Sequence, residues 1–242
     1  MNQMLKESAV SNISYIFPPA PVPSVSIVGR SEAYPVNRIF CVGRNYHAHA
    51  LEMGDAVDKT KREPFYFMKD ASALVKSGST IDYPPGTANL HYEMELVVAV
   101  GKSGFQIDEA NADDYIYGYA AGLDMTRRDL QKVARENGRP WDIAKNFEMS
   151  AVLSPIVAKE DIGIVESASI ELSLNGEVKQ SSNTSLMIWS LPELLAHLSR
   201  FYHLQPGDLI YTGTPEGVGA VKSGDRIYGL IEGVAEVELA IK

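Results

Sequence analysis

Three carboxylates carry the clearest chemical signal in the sequence. His91-Tyr92-Glu93-Met94-Glu95-Leu96 alternates in polarity, and residues two apart on a strand share a face, so His91, Glu93 and Glu95 would project together. Tyr92, Met94 and Leu96 would then turn into packing. Like charges on one face repel, and a hard divalent cation with oxygen ligands offsets that repulsion. From these residues alone, an exposed acidic strand face explains the pattern equally well. Asp124 weighs against that alternative, because it ends the apolar run from Gly118 to Leu123, where strand ends commonly present functional groups. No Cys/His cluster has zinc-ligand spacing, so magnesium or manganese is expected. His91 is expected to support a ligand rather than to be one.

Other candidates lie in unusual local sequence. His49 and Glu52 are three apart and share a face if their segment is helical. A carboxylate beside an imidazole raises its basicity and fixes its tautomer, as a general base for water requires, although an exposed helical pair is the simpler alternative. Gly43-Arg44-Asn45-Tyr46, Arg127, Arg128, Gln131 and Lys145 are further candidates. Thr212 to Gly219 is glycine-rich but lacks the phosphate-loop lysine and the dinucleotide spacing; its amides are candidates for holding a substrate carboxylate. His197 and His203 read as structural or solvated.

These side chains need a scaffold, and the pattern predicts a strand-rich one. Phe17 to Pro23 is proline-dense and predicts an extended arm into a strand from Ser24 to Val28. Strands are expected at Arg38 to Gly43, Phe65 to Lys69, Glu93 to Gly101, Tyr115 to Leu123, Asp208 to Thr212, Arg226 to Ile231 and Val234 to Ile241. Asn175-Gly176, flanked by Ile170, Leu172, Leu174 and Val178, predicts a type I′ hairpin. Short helices are expected at Asn45 to Met53, at Thr126 to Asn137 with Thr126 as N-cap, and from the capping box Ser190/Glu193 to about Tyr202. The charge-dense stretch Gly54 to Glu63 buries little by composition and reads as a mobile loop or lid, with a plain solvated loop as the alternative. Strands outnumber helices without regular β-α alternation, so the fold class is α+β.

Composition bounds the partners. A chain of 242 residues with 45% hydrophobic and 22% charged residues can bury a sizeable core. The net charge of -9 disfavours nucleic acid and anionic membrane surfaces. The single Cys41 requires no oxidising compartment, and no apolar run approaches a membrane span, so a cytoplasmic protein acting on small molecules is expected.

At these residues the sequence resembles the fumarylacetoacetate hydrolase family. The resemblance rests on Cys-Val-Gly-Arg-Asn-Tyr at 41 to 46, His-Tyr-Glu-Met-Glu-Leu at 91 to 96, Gly-Leu-Asp-Met-Thr-Arg-Arg-Asp-Leu-Gln at 122 to 131 and Thr-Gly-Thr-Pro-Glu-Gly-Val-Gly at 212 to 219. The proline-rich arm is similar to that of bacterial members acting in aromatic compound breakdown. The resemblance implies a mixed β-sandwich roll of the family's C-terminal-domain type over residues 37–242, preceded by an extension and edge strand over 1–36. It also implies a homodimer and magnesium or manganese on Glu93, Glu95 and Asp124. Catalytic roles fall on His49, Glu52 and Lys145, and substrate contacts on Arg44, Tyr46, Arg128, Gln131 and Thr214. His47 departs from the family pattern and leaves two histidines near the lid. The implied reaction is hydrolysis of a carbon–carbon bond in an acylpyruvate such as fumarylpyruvate. Oxaloacetate decarboxylation or keto-enol isomerisation uses the same cation, and an inactive metal- or ligand-binding protein is the reading from a different class.

Overall fold

The structure is a computed structural model that describes residues 14–54 and 56–242. Its centre is an eight-stranded mixed sheet. Across it run Phe65–Lys69, Ile39–Gly43, Leu209–Tyr211, Met94–Val100, Ile116–Asp124, Ala151–Leu153 and Leu74–Lys76, with Val157–Ala158 pairing beside the Ile116–Asp124 strand. A five-stranded sheet in the order Glu177–Asn183, Ser169–Leu174, Arg226–Ile231, Ala235–Ile241 and Ser79–Ile81 packs against one face. This is the strand-rich α+β class that the pattern predicts, in the sandwich form that the resemblance implies.

Met94–Val100 is buried along its whole length, which explains its near-continuous apolar sequence. Met94, Leu96, Val98 and Val100 enter the core between the two sheets, together with Leu123, Ile170 and Ile231. Val97 and Ala99 face the other way, into a second cluster with Ile39, Cys41, Ala120, Leu209 and Tyr211. The hairpin of Ser24–Ser26 with Ala33–Pro35 covers this second face through Val25 and Tyr34. Of the expected N-terminal extension, residues 1–13 lie outside the described residues.

Local signals match where the cause is local. Asn175 and Gly176 have φ of 53° and 84°, the paired positive values of a type I′ turn. Ser190 and Glu193 form the reciprocal capping box of the Leu191–Leu198 helix, which stops four residues short of Tyr202. Helix α1 is His47–Glu52, α2 is Arg128–Glu136 and α3 is Asp142–Lys145.

Three expectations need correction. The stretch from His91 to Glu95 is not one strand: Leu90–Tyr92 belongs to a small sheet with Thr126–Arg127 and Gly219–Val221, Met94 begins the large sheet, and Glu93 sits at the break. Thr126 does not cap α2; it lies in the short strand, its hydroxyl donates to the Asp124 carbonyl, and Arg127 holds the N-cap position without a side-chain cap. The polar loop after α1 is more anchored than its composition suggests, since Val57 is buried in the main core and Lys59 pairs with Glu193 at 2.6 Å. Asp55, within the expected lid, lies outside the described residues.

Candidate metal centre and active site

The site is built where one face of the large sheet changes character. Met94 pairs with Leu123 and the Asp124 amide donates to the Glu93 carbonyl at 2.9 Å, so Glu93 and Asp124 meet across the strand pair. Glu95 lies two residues on, with Val97 and Ala99 continuing its face. Oxygens of Glu93, Glu95 and Asp124 lie within 4.8 Å of one another, and all three residues are buried.

Cations gather around them. Lys145, 2% exposed, ends α3 and donates from Nζ to Glu93 at 2.7 Å, Asp124 Oδ2 at 2.6 Å and the Thr126 hydroxyl at 2.7 Å. Arg128, the first residue of α2, donates to Glu93 Oε1 at 2.5 Å and to Gln131. Burial alone would raise the Glu93 carboxyl, but Lys145 and Arg128 hold it far below the usual range. Burial would lower the Lys145 ammonium, and Asp124 and Glu93 instead raise it. Glu95 has the opposite environment: burial, then the Asp124 and Glu93 charges, push its carboxyl well above the usual value, opposed by Lys145 and by the Gly213 amide at 2.8 Å.

This donor set fits a hard divalent cation. Three convergent carboxylates suit magnesium or manganese. Asp124 Oδ1 is buried and pairs with Lys69 Nζ at 2.8 Å, and a carboxylate oxygen with one partner keeps a lone pair for a cation. Such an oxygen suits a metal ligand. His91 is outside this group: its Nδ1 accepts from Arg128 Nε at 3.4 Å, so it acts on Glu93 through Arg128. Burial, then the Arg128 charge, lowers its pKa to about 4 and keeps it neutral near pH 7.

The dyad sits across the cleft on α1. His49 Nδ1 and Glu52 Oε2 are 3.0 Å apart, and the Gly217 amide donates to Glu52 Oε1 at 3.1 Å. Burial would raise Glu52, but the bonds from His49 and Gly217 hold it below the usual carboxylate range. An ionised Glu52 favours the proton on Nδ1, which leaves the Nε2 lone pair free to accept one. The glycine-rich loop therefore spends amides on protein carboxylates: Gly213 on Glu95 and Gly217 on Glu52. Gly213 has φ of 99°, and a Cβ there would come within 2.7 Å of the Asn45 Cβ, so this turn requires glycine.

Arg44, His49, Glu93, Glu95, Arg128, Gln131, Lys145 and Thr214 line one inner cavity. It opens into a mouth of about 600 Å³ bordered by Glu52, Met53, Arg128, Gln131 and Arg135. Tyr46 is not in this lining; it is 1% exposed and its buried hydroxyl has no partner. Arg44 reaches the cavity from a backbone at φ 59°, a left-handed conformation unusual for a non-glycine residue.

Lys69, Gln180, Phe67 and Trp141 are contributors that the sequence did not single out, and Asn45, a candidate, takes a structural part. Lys69 closes the strand Phe65–Lys69, fully buried, and donates to the Met125 and Lys145 carbonyls beside Asp124. Its signal was a lysine ending an otherwise apolar, aromatic strand. Gln180 accepts from the Met94 amide and donates to the Thr214 hydroxyl at 2.9 Å, tying that loop to the start of the carboxylate strand. Asn45 exchanges side-chain bonds with both backbone groups of Trp189 and donates to the Thr212 carbonyl. Phe67 and Trp141, with ring centroids 5.8 Å apart, form an aromatic wall of the cavity.

Comparison with known proteins gives the same assignment by an independent route. The fumarylacetoacetate hydrolase C-terminal family model matches residues 38–242. The chain is 58% identical to a fumarylpyruvate hydrolase of Ralstonia sp. over 189 residues, covering 78% of this chain and 98% of that protein. It is 43% identical to a mitochondrial oxaloacetate tautomerase of Mus musculus over 204 residues, covering 84% and 91%. The crystal structure of a Pseudomonas aeruginosa fumarylpyruvate hydrolase in complex with Mn2+ and pyruvate superposes with a TM-score of 0.90 at 47% identity, covering 94% of this chain and 99% of that one. With its fold, carboxylate cluster and sequence in agreement, this chain belongs to the fumarylacetoacetate hydrolase family.

Proposed function

We propose that the protein hydrolyses a carbon–carbon bond in an acylpyruvate, with fumarylpyruvate as the substrate and fumarate and pyruvate as products. The observation that carries this reading is the pairing of a three-carboxylate cation site with an intact His49–Glu52 dyad in one cleft. The likeness to fumarylpyruvate hydrolases, one with manganese and pyruvate bound, supports it.

Glu93, Glu95 and Asp124 would hold Mg2+ or Mn2+, a Lewis acid for the 2-keto acid end of the substrate. Arg128, Gln131 and Thr214 orient that end, and Arg44 adds positive charge to the cavity. His49 Nε2 takes a proton from water, whose oxygen adds to the carbonyl distal to the pyruvyl group. Lys145, kept protonated by Asp124 and Glu93, offsets negative charge developing on the cavity floor. The bond between that carbonyl carbon and the pyruvyl methylene then breaks; its electron pair stays with the pyruvyl fragment, whose methylene recovers the proton from His49. One water is consumed, and an acid and pyruvate leave.

Oxaloacetate tautomerisation is the second reading, favoured by the 43%-identical mitochondrial relatives. It needs no attacking water but does need a base for the carbon-bound proton, so the dyad serves both readings, and the higher identity to fumarylpyruvate hydrolase, 58% against 43%, supports hydrolysis. Assay of the protein with Mg2+ or Mn2+ against fumarylpyruvate, acetylpyruvate and oxaloacetate separates them. Hydrolysis predicts stoichiometric fumarate and pyruvate from fumarylpyruvate; turnover of oxaloacetate alone sinks the acylpyruvate reading. The same proposal includes a catalytic domain over 37–242, a homodimer and a cytoplasmic role in aromatic compound breakdown. Among the described residues no helix is long and apolar enough to cross a membrane.

A further inference from the structure

The reaction above leaves Arg135 without a part, yet this residue lines both the inner cavity and the outer mouth. Arg128, Gln131 and Arg135 are spaced i, i+3 and i+7 on α2, so they share one helix face. Arg128 is anchored at the carboxylate cluster through Glu93. At 1.5 Å rise per residue, Arg135 lies about 10 Å farther along the axis. An extended acylpyruvate ending in a second carboxylate spans about 7–8 Å between its terminal carbons. With its pyruvyl end at Arg128, its far end comes within reach of the Arg135 side chain.

The guanidinium is held for such a contact. It is half-buried, and Nη2 donates to the Met53 carbonyl at 3.0 Å, at the C-cap of α1. A guanidinium carries five N–H donors in a rigid plane, so this bond fixes the plane while others remain for a carboxylate. The acidic groups of the mouth are engaged elsewhere: Glu52 with His49 and Gly217, and Glu136 with Lys132 at 4.0 Å. Trp141 lines the cavity beside Arg135 and, with Phe67, offers a flat wall to a conjugated acyl chain.

We propose that Arg135 is a specificity-determining residue that pairs with the carboxylate at the far end of the acyl group, so that the cleft favours dicarboxylic acylpyruvates over those ending in a methyl group. This rests on the acylpyruvate reading. The experiment measures kcat/KM for fumarylpyruvate and acetylpyruvate with wild type, Arg135→Met and Arg135→Lys at saturating Mn2+. A lost charge-assisted pair predicts a fall of about 10–100-fold on fumarylpyruvate for Arg135→Met, mainly through KM. On acetylpyruvate the fall is less than about threefold, and Arg135→Lys is intermediate. Inhibition by fumarate weakens in parallel, while inhibition by pyruvate does not. Equal losses on both substrates would overturn the assignment, because Arg135 would then only anchor α1 through Met53; so would an unchanged ratio. Wild type that cleaves neither acylpyruvate sinks the underlying reading and this inference with it. Should Arg135→Met fail to fold, the fumarylpyruvate-to-acetylpyruvate ratio of Arg135→Lys decides, and a ratio equal to wild type together with unchanged fumarate inhibition overturns the proposal.

Discussion

The strand pair Met94–Val100 and Ile116–Asp124 has two ends on the same face that obey different rules. At one end Val97, Ala99 and Ala120 pack with Ile39 and Leu209, all buried and apolar. At the other, Glu95, Asp124 and the adjoining Glu93 crowd three carboxylates into an equally buried space, with Lys69, Lys145 and Arg128 around them. Burial stabilises the first end, whereas at the second it concentrates charge whose repulsion the lysines and arginine offset only in part. Glu95 shows the remainder, since its carboxyl is pushed up by Asp124 and Glu93. Stability is invested at one end and function at the other, within a few residues of the same strands.

Substitutions on the two ends should therefore separate activity from stability. A large effect is expected for His49→Ala, which removes the proposed base: hydrolysis falls about 10²–10⁴-fold, while metal-assisted decarboxylation of oxaloacetate, which needs no base, changes little. Kinetics of fumarylpyruvate hydrolysis and oxaloacetate decarboxylation check this, and equal losses would place His49 outside the water-activating role. Glu95→Gln is expected to cut kcat/KM on the order of 10²–10³-fold by weakening the cation site. Calorimetric Mn2+ titration should show the lost affinity, with the fold intact by circular dichroism. At the apolar end, Leu209→Ala should cost about 2–5 kcal/mol in urea unfolding. Its kcat/KM per folded molecule should stay within about twofold, and a larger fall would mean the two ends are coupled.

The smallest effect concerns pH. In chelator-treated protein the folded Glu95 pKa lies above the ordinary 4.5, so the folded state binds more protons than the unfolded one between those values. Stability from this group is present below 4.5 and is lost as pH rises toward the folded pKa, by at most about 1.4 kcal/mol per pH unit. Glu95→Gln should flatten that decline in urea titrations across pH, and adding Mn2+ to wild type should reverse it. An identical slope in wild type and variant would show that Glu95 is not the strained member.

The sequence was most readable where the determining contacts are local. Asp124 at a strand end, the Asn175-Gly176 turn and the Ser190/Glu193 box follow from neighbours within a few residues, whereas Glu93 joins Glu95 across a break between two strands that spacing alone does not show. Thr126 misled because a good N-cap residue before a helical run was drawn into a strand by pairing with His91. Lys69 could not be placed beside Asp124 without knowing that its strand runs next to Ile39–Gly43 in the same sheet. Gln180, in the polar second strand of the hairpin, reaches Thr214 only because the second sheet packs there. The resemblance supplied the role of Lys145 and favoured the dyad reading of His49 and Glu52, whose alternative as an exposed helical pair residue chemistry alone left open.

The central claim is that the three carboxylates hold a cation required for acylpyruvate cleavage. The direct test is fumarylpyruvate turnover by chelator-stripped protein titrated with Mn2+. The account predicts negligible turnover without cation and saturable recovery at one equivalent per chain, abolished in Asp124→Ala. Full turnover by stripped protein, or recovery unaffected by Asp124→Ala, would contradict it.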